Sequence, residues 1–216
     1  QGAWALLLNH HLRRDDLLFG ITVAGRPPDL AGVESIPGLF INTLPLRVHI
    51  PPQMSLREWL QHIQESVSLI QQFDYSPLSQ IQTWSGVPHS SPLFDTLLVF
   101  ENYPMHASFR EQYSGLHIDA VHSIEQTTYP LTIAVIPGQQ LDLKILYDPD
   151  RFEPVEIQQL LNQLHQMLET MLANPNQSLS TVSQKMPPGQ DSIFGSRKKG
   201  VENETEPNQP YPVQKN

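Results

Sequence analysis

Ile36-Pro-Gly-Leu-Phe-Ile-Asn-Thr-Leu-Pro-Leu-Arg47 decides how the chain is read. Its alternation predicts a strand in which Phe40, Asn42, Leu44, Leu46 and Val48 share one face and Leu39, Ile41, Thr43, Pro45 and Arg47 share the other. Asn42 therefore stands in an apolar row. A buried amide without partners costs about 1–3 kcal/mol, so groups that satisfy it are expected nearby. Gly38 opens the strand where a side chain is unwelcome. Pro45 removes a ladder donor, which restricts the strand to a sheet edge or a bulge.

Upstream, Gln1–Asn9 reads as the end of an apolar helix with no start signal, which suggests that chain precedes it. Leu17–Ala24 reads as a buried strand, and Gly25-Arg-Pro-Pro28 turns the chain out of it. Downstream, Ser55-Leu-Arg-Glu58 has the form of a capping box. Leu56, Trp59, Leu60, Ile63, Val67 and Ile70 then keep helical spacing to about Gln72. Phe73-Asp-Tyr-Ser-Pro-Leu78 is a loop, Leu78–Trp84 a short helix, and Leu93–Phe100 a strand. Leu116–Ile124 alternates as a further strand. Leu131–Ile136 and Leu141–Tyr147 form a hairpin around Pro137-Gly-Gln-Gln140. Pro154 fits the first turn of a long helix whose stripe is Val155, Ile157, Leu160, Leu161, Leu164, Met167, Leu168, Met171 and Leu172. That stripe reads as core, methionines included.

Composition excludes several classes of function. The 216 residues carry a formal net charge of −9, so a duplex-binding role is disfavoured. With no cysteine there is neither a disulfide framework nor a thiolate metal site, which suits a cytoplasmic protein. No apolar run approaches the roughly 18–20 residues of a membrane span. His49, His62, His89, His106, His117, His122 and His165 are scattered without metal-ligand spacing. Residues 184–216 are polar and proline-rich. Such a tail buries too little to offset its ordering entropy and is expected to be disordered.

Four stretches resemble the condensation domains of nonribosomal peptide synthetases. Gly38-Leu-Phe-Ile-Asn-Thr43 followed by Arg47 resembles the family pattern Gly-x-Phe-Val-Asn-Thr-x-x-x-Arg, with Ile41 in place of Val. Phe19-Gly-Ile-Thr-Val-Ala-Gly-Arg-Pro27 resembles the strand and turn ahead of it. Phe73-Asp-Tyr-Ser-Pro-Leu78 resembles His-Gln-Asp-Tyr/Val-Pro-Phe-Glu at Asp74, Tyr75 and Pro77. Ser91-Pro-Leu-Phe-Asp-Thr-Leu-Leu-Val-Phe-Glu-Asn102 resembles a stretch built around Asn-Pro-Leu-Phe, with Ser91 in place of the Asn.

The resemblance covers residues 1–183. It implies an α/β fold, the C-terminal lobe of a chloramphenicol acetyltransferase-like, two-lobed architecture with a mixed sheet and flanking helices. It also implies amide formation between acyl and aminoacyl thioesters carried on the phosphopantetheine arms of carrier proteins. The implied partners are upstream and downstream peptidyl carrier proteins and the N-terminal lobe of the same domain. No directly bound cofactor, metal, nucleic acid or membrane is implied. Gly38, Phe40, Asn42, Thr43, Arg47, Asp74 and Asn102 become candidates for shaping the tunnel or the lobe contact.

The family's His-His-x-x-x-Asp-Gly motif belongs to the other lobe. His10-His-Leu-Arg-Arg-Asp15-Asp16 mimics it, but Asp16 replaces the Gly, the stretch leads straight into a strand, and two arginines suggest a solvated loop. No catalytic residue is assigned, and the fragment alone is expected to be inactive. Rival readings are an epimerization or heterocyclization domain of the same fold, and a non-catalytic docking fragment. Asn102-Tyr-Pro-Met-His106 departs from the Asn-Tyr-Leu-Gly-Gln stretch of epimerization relatives.

Overall fold

Two strands with matching alternation start the sheet. β1 (Asp16–Val23) pairs antiparallel with β2 (Asn42–His49), with Val23 opposite Asn42 and Phe19 opposite Leu46. In this computed structural model, residues 1–26, 30–101, 127–186 and Phe194 are described. β3 (Thr96–Phe100), β4 (Leu131–Ile136) and β5 (Asp142–Tyr147) complete a five-stranded mixed sheet of order β2-β1-β3-β4-β5. The β1–β3 and β3–β4 pairs are parallel, and β4–β5 is the expected antiparallel hairpin. Among the described residues β2 is an edge strand, a position that suits Pro45.

The register fixes what each face presents. Leu17, Phe19, Ile21, Leu44, Leu46, Val48, Leu98, Leu131 and Ile133 belong to one buried core cluster. That cluster includes α1 (Gly2–Leu12), in which Trp4, Ala5, Leu6 and Leu7 are at most 1% exposed. A helix apolar all round is a helix enclosed all round. It lies against β1 and the long helix α4 (Pro154–Ala173). Ile157, Leu160, Leu164 and Met167 of α4 are buried, as the stripe predicts. Val155 and Leu172 are 62% and 81% exposed and do not belong to it. Pro154 opens α4, and the Glu153 and Glu156 side chains close a capping box around it.

α2 (Leu56–Gln71) begins at Ser55, whose hydroxyl accepts from the Glu58 N–H at 3.3 Å. Only this arm of the expected box is present among the described residues. Leu56, Trp59 and Ile63 are its buried face, and Trp59 Nε1 donates to the His49 carbonyl at 2.8 Å. α3 (Leu78–Ser85) and α5 (Leu179–Gln184) are short. Met186 is buried and the Phe194 ring meets Trp4, His11 and Phe152 edge-on, so contacts with the core continue past residue 183.

Other expectations change as well. The 36–48 stretch enters the sheet only at Asn42; Gly38 and Phe40 precede the strand, with Gly38 at φ 153° and room for a Cβ in ordinary contact with the Phe40 ring, 3.5 Å away. β3 begins at Thr96, because Phe94 turns away to stack on Tyr129, with ring centroids 5.4 Å apart. α1 runs on through His10 and His11, which the sequence reading placed in a solvated loop; both are buried. The expected strand at 116–124 and nearly all of the tail lie outside the described residues.

Gly20 and Phe94 come from two different motif stretches and depend on each other: a Cβ on Gly20 would overlap the Phe94 ring. Gly20→Ala should destabilise by about 1–3 kcal/mol through overpacking. Phe94→Leu should recover part of that loss in the double variant. Denaturant titration of the four proteins measures the coupling, and additive losses would sink the contact.

Candidate functional site

Asn42, the first residue of β2, makes three hydrogen bonds. Its Nδ2 donates to the carbonyls of Asp74 and Ser76 at 2.7 and 2.8 Å, and its Oδ1 accepts from the Thr43 N–H at 2.9 Å. The awkward amide in the apolar row is therefore satisfied. It also ties the edge strand to the 73–76 turn across more than thirty residues of chain. The turn has bonds of its own, Phe73 N–H to the Ile70 carbonyl and Ser76 N–H to the Phe73 carbonyl, both at 2.9 Å. Asp74 enters this junction through its backbone.

Thr43 follows Asn42 and so points to the opposite face of the sheet. Its hydroxyl lies beside Tyr129, whose phenol is pushed up by burial, an effect the Thr43 hydroxyl partly offsets. Arg47 shares that face and forms a fork on Asp16 of β1, Nε to Oδ1 at 2.9 Å and Nη2 to Oδ2 at 2.6 Å. The Arg47 guanidinium holds the Asp16 carboxyl below its usual range. The pair's contribution is present above the ordinary aspartate range and fades as pH falls through the lowered value. With side chains 76% and 50% exposed, it aligns β1 on β2 more than it stabilises.

The structure thus unites Asn42 with the Asp74 turn and separates them from Thr43 and Arg47. Gly38 and Phe40 lie in the loop before β2, and Asn102 lies outside the described residues. The sequence reading missed Asp16, Ser76, Tyr129 and, in the Gly25-Arg26 turn, the cation that reaches Phe40. Asp16 and Arg47 carry a legible signal, opposite charges at diagonal positions of paired strands once the register sets Asp16 opposite His49 and Arg47 opposite Leu18. The Ser76 carbonyl carries none, because any residue supplies one.

His10 and His11 do not form a site. They are 5% and 7% exposed in the last turn of α1, and their rings meet edge-on at 5.5 Å. His11 Nε2 lies 2.8 Å from Gln163 Oε1 of α4, so the ring nitrogen donates and the amide oxygen accepts. Arg13 ends the helix in the left-handed conformation at φ 54°, with its N–H on the Asn9 carbonyl. Among the described residues no group of three or more His, Asp or Glu side chains is placed to hold a metal. No helix among them is long and apolar enough to cross a membrane.

A five-stranded mixed sheet with a largely enclosed helix, an edge strand and stapled loops at its rim is an α/β arrangement. Residues 1–191 match the family model of the condensation domain, and the chain belongs to that family. It is 46% identical over 183 residues to a linear gramicidin synthase polypeptide of Brevibacillus parabrevis, covering 85% of this chain and 2% of that protein. It is 38% identical over 182 residues to chondramide synthase cmdD of Chondromyces crocatus, covering 84% and 5%. Surfactin synthase subunit 3 of Bacillus subtilis (strain 168) is 33% identical over 185 residues, covering 85% and 14%.

Among solved structures, a four-domain nonribosomal peptide synthetase bound to AMP and glycine superposes with a TM-score of 0.71 at 19% identity, covering 83% of this chain and 15% of that one. A variant of the starter condensation domain of rhizomide synthetase in complex with C8-CoA gives 0.65 at 18%, covering 83% and 41%. The fold is that of condensation domains, a chloramphenicol acetyltransferase-like α/β fold. The chain spans 2–14% of the curated relatives and less than half of either solved structure.

Two outcomes follow from the polar groups. Asn42→Leu leaves two carbonyls and an N–H without the amide and should cost about 2 kcal/mol. Asn42→Asp should cost more at neutral pH, since a carboxylate then faces two carbonyl oxygens, and should recover as acid protonates it. Thermal melts at pH 7 and pH 4.5 read both, and equal stability of the three proteins overturns the assignment. For His11, burial is the main cause lowering its pKa, Arg13 adds to it, and the Gln163 bond opposes it. A base with a lowered folded-state pKa stabilises fully above its ordinary value near 6.5. That contribution is lost as pH falls toward the lowered one. Denaturant titrations from pH 7.5 to 5.5 should show the decline, and His11→Asn should flatten it. Parallel slopes for the two proteins exclude His11 as the cause.

Proposed function

We propose that this chain is the C-terminal lobe of a condensation domain that forms amide bonds between carrier-tethered thioesters. The observation that carries the reading is the condensation-domain match along residues 1–191. In the reaction, the amine of an acceptor aminoacyl thioester attacks the donor thioester carbonyl. The C–N bond forms, the C–S bond breaks, the amine loses a proton, and the donor's phosphopantetheine sulfur leaves as a thiol. The phosphopantetheine arms of upstream and downstream carrier proteins deliver both substrates. The lobe contributes by holding the two thioesters in reach of each other, where proximity lowers the barrier.

Proton transfer belongs to the His-His-x-x-x-Asp-Gly lobe expected upstream. The His10-His11 pair supports that division, because both rings are buried and His11 is spent on Gln163. In this reading Asn42, Asp74 and the Gly38–Phe40 loop shape one wall, while Thr43, Arg47 and Asn102 serve the sheet rim or the lobe contact. Residues 1–183 make up most of the lobe, and Met186 and Phe194 add to its core.

The test joins this chain to its upstream lobe as a complete condensation domain and supplies loaded donor and acceptor carrier proteins. Mass spectrometry of the acceptor carrier should find the amide product with the complete domain. This chain alone should leave only the uncatalysed background. A complete domain that makes no amide with any loaded pair defeats the reading, as does equal turnover by the chain alone.

A further inference from the structure

Arg26 does more than turn the chain out of β1. Its Nη1 donates to the Val33 carbonyl and, at 3.3 Å, to the Ile36 carbonyl. Its guanidinium carbon sits 4.1 Å from the centroid of the Phe40 ring. Beside it Gly25, at φ 60°, lies so close to the Phe40 carbonyl that a Cβ would collide with it. Residues 30–41 are thereby held to the end of β1 at three separated points. Among the described residues their own backbone bonds are few and belong to the 3-10 turn Val33–Ser35: the Val33, Ser35 and Ile36 N–H groups donate to the Leu30, Gly32 and Val33 carbonyls at 3.1, 2.9 and 3.3 Å.

The same stretch keeps large apolar side chains in the open. Leu30 is 46% exposed, Ile36 39%, Leu39 87% and Ile41 47%. Apolar groups left on the surface do nothing for the core, and a cluster of them marks a binding surface. Holding such a surface still before the ligand arrives removes the ordering entropy from the binding step. A flat guanidinium can stack on an aromatic ring and fork onto two carbonyls at once; a lysine ammonium cannot do both.

We infer that Arg26 is a positioning residue for the condensation reaction: it holds residues 30–41 in the conformation that receives a carrier-tethered acyl thioester. This rests on the condensation reading. The thioester's acyl and pantetheine chains supply the apolar surface that Leu39 and Ile41 would contact. If the loop must order itself at each encounter, apparent affinity falls by the fraction of time it is ready, while chemistry in the bound state is unchanged.

The test compares the wild-type complete domain with Arg26→Ala, Arg26→Lys and Phe40→Leu. Amide hydrogen exchange reads residues 30–41, and steady-state condensation with loaded carrier proteins reads catalysis. Expected in Arg26→Ala are faster exchange at Ser35 and Ile36 and a KM for one carrier-bound substrate raised roughly fivefold or more, with kcat within about twofold. Arg26→Lys should not rescue it, and Phe40→Leu should give a smaller change of the same kind. Unchanged exchange overturns the clasp. Faster exchange with both KM values unchanged overturns the positioning role, whatever happens to kcat. If Arg26→Ala does not fold, Phe40→Leu decides by the same two readouts. A wild-type domain that protects the loop but makes no amide defeats the condensation reading, and the positioning role with it, while leaving the clasp standing.

Discussion

The register of β2 on β1 is the constraint on which the rest depends. Side chains alternate along a strand, so a slip of one residue would turn Leu44, Leu46 and Val48 away from the helices and bring Thr43, Pro45 and Arg47 inward. Burial of the apolar row opposes that slip all along the strand. At the ends, two polar contacts oppose it at single positions: Asn42 on the 73–76 turn and Arg47 on Asp16. Apolar alternation is tolerant of shifts by two; hydrogen bonds with defined partners are not. The polar residues in the strand therefore supply the specificity that hydrophobicity lacks.

The enclosed helix α1 adds a second requirement. It buries residues on every side, so it needs the sheet on one flank and α4 on another. The His11–Gln163 bond spans 152 residues of sequence and joins the last turn of α1 to α4. Phe194 adds its ring to the same place, against Trp4, His11 and Phe152. Burial lowers the pKa of His11 and favours its neutral ring, which suits a task of packing and alignment. The resemblance to a catalytic pair is a resemblance of letters.

What was legible in the sequence was what local physics determines. The β4–β5 hairpin, Ser55 at the start of α2, Pro154 at the start of α4 and the edge position of β2 follow from turn chemistry, capping and the missing proline N–H. That Asn42 needed partners was legible too, because the cost of a buried amide is general. Which atoms answer it was not, since backbone carbonyls have no signature in sequence. His10 and His11 misled for the converse reason: their partners lie far along the chain, and polarity next to two arginines favours a solvated reading. Gly38 and Phe40 were placed in the strand because alternation does not say where pairing begins. Pairing begins at Asn42, where the chain leaves the loop held by Arg26.

Asn42 and Arg26 solve the same problem at neighbouring places. Among the described residues each loop at this rim has few bonds beyond its own turn, and each is fastened by a side chain that donates to two carbonyls. The geometry explains the choice of residue. At Asn42 the amide must donate twice and also accept from the next N–H in the strand. Aspartate supplies no donor when ionised, and glutamine adds a methylene that would push the nitrogen past the two carbonyls. At Arg26 the reach is longer and one partner is an aromatic face, so a guanidinium fits where an amide would not. The two fastenings leave apolar side chains exposed on restrained backbone: Leu39 and Ile41 on one loop, Phe73 and Tyr75 on the other. A lobe that had only to fold would bury such residues or replace them. On the proposed reading, a chain that receives a flexible tethered substrate gains from keeping them exposed and still.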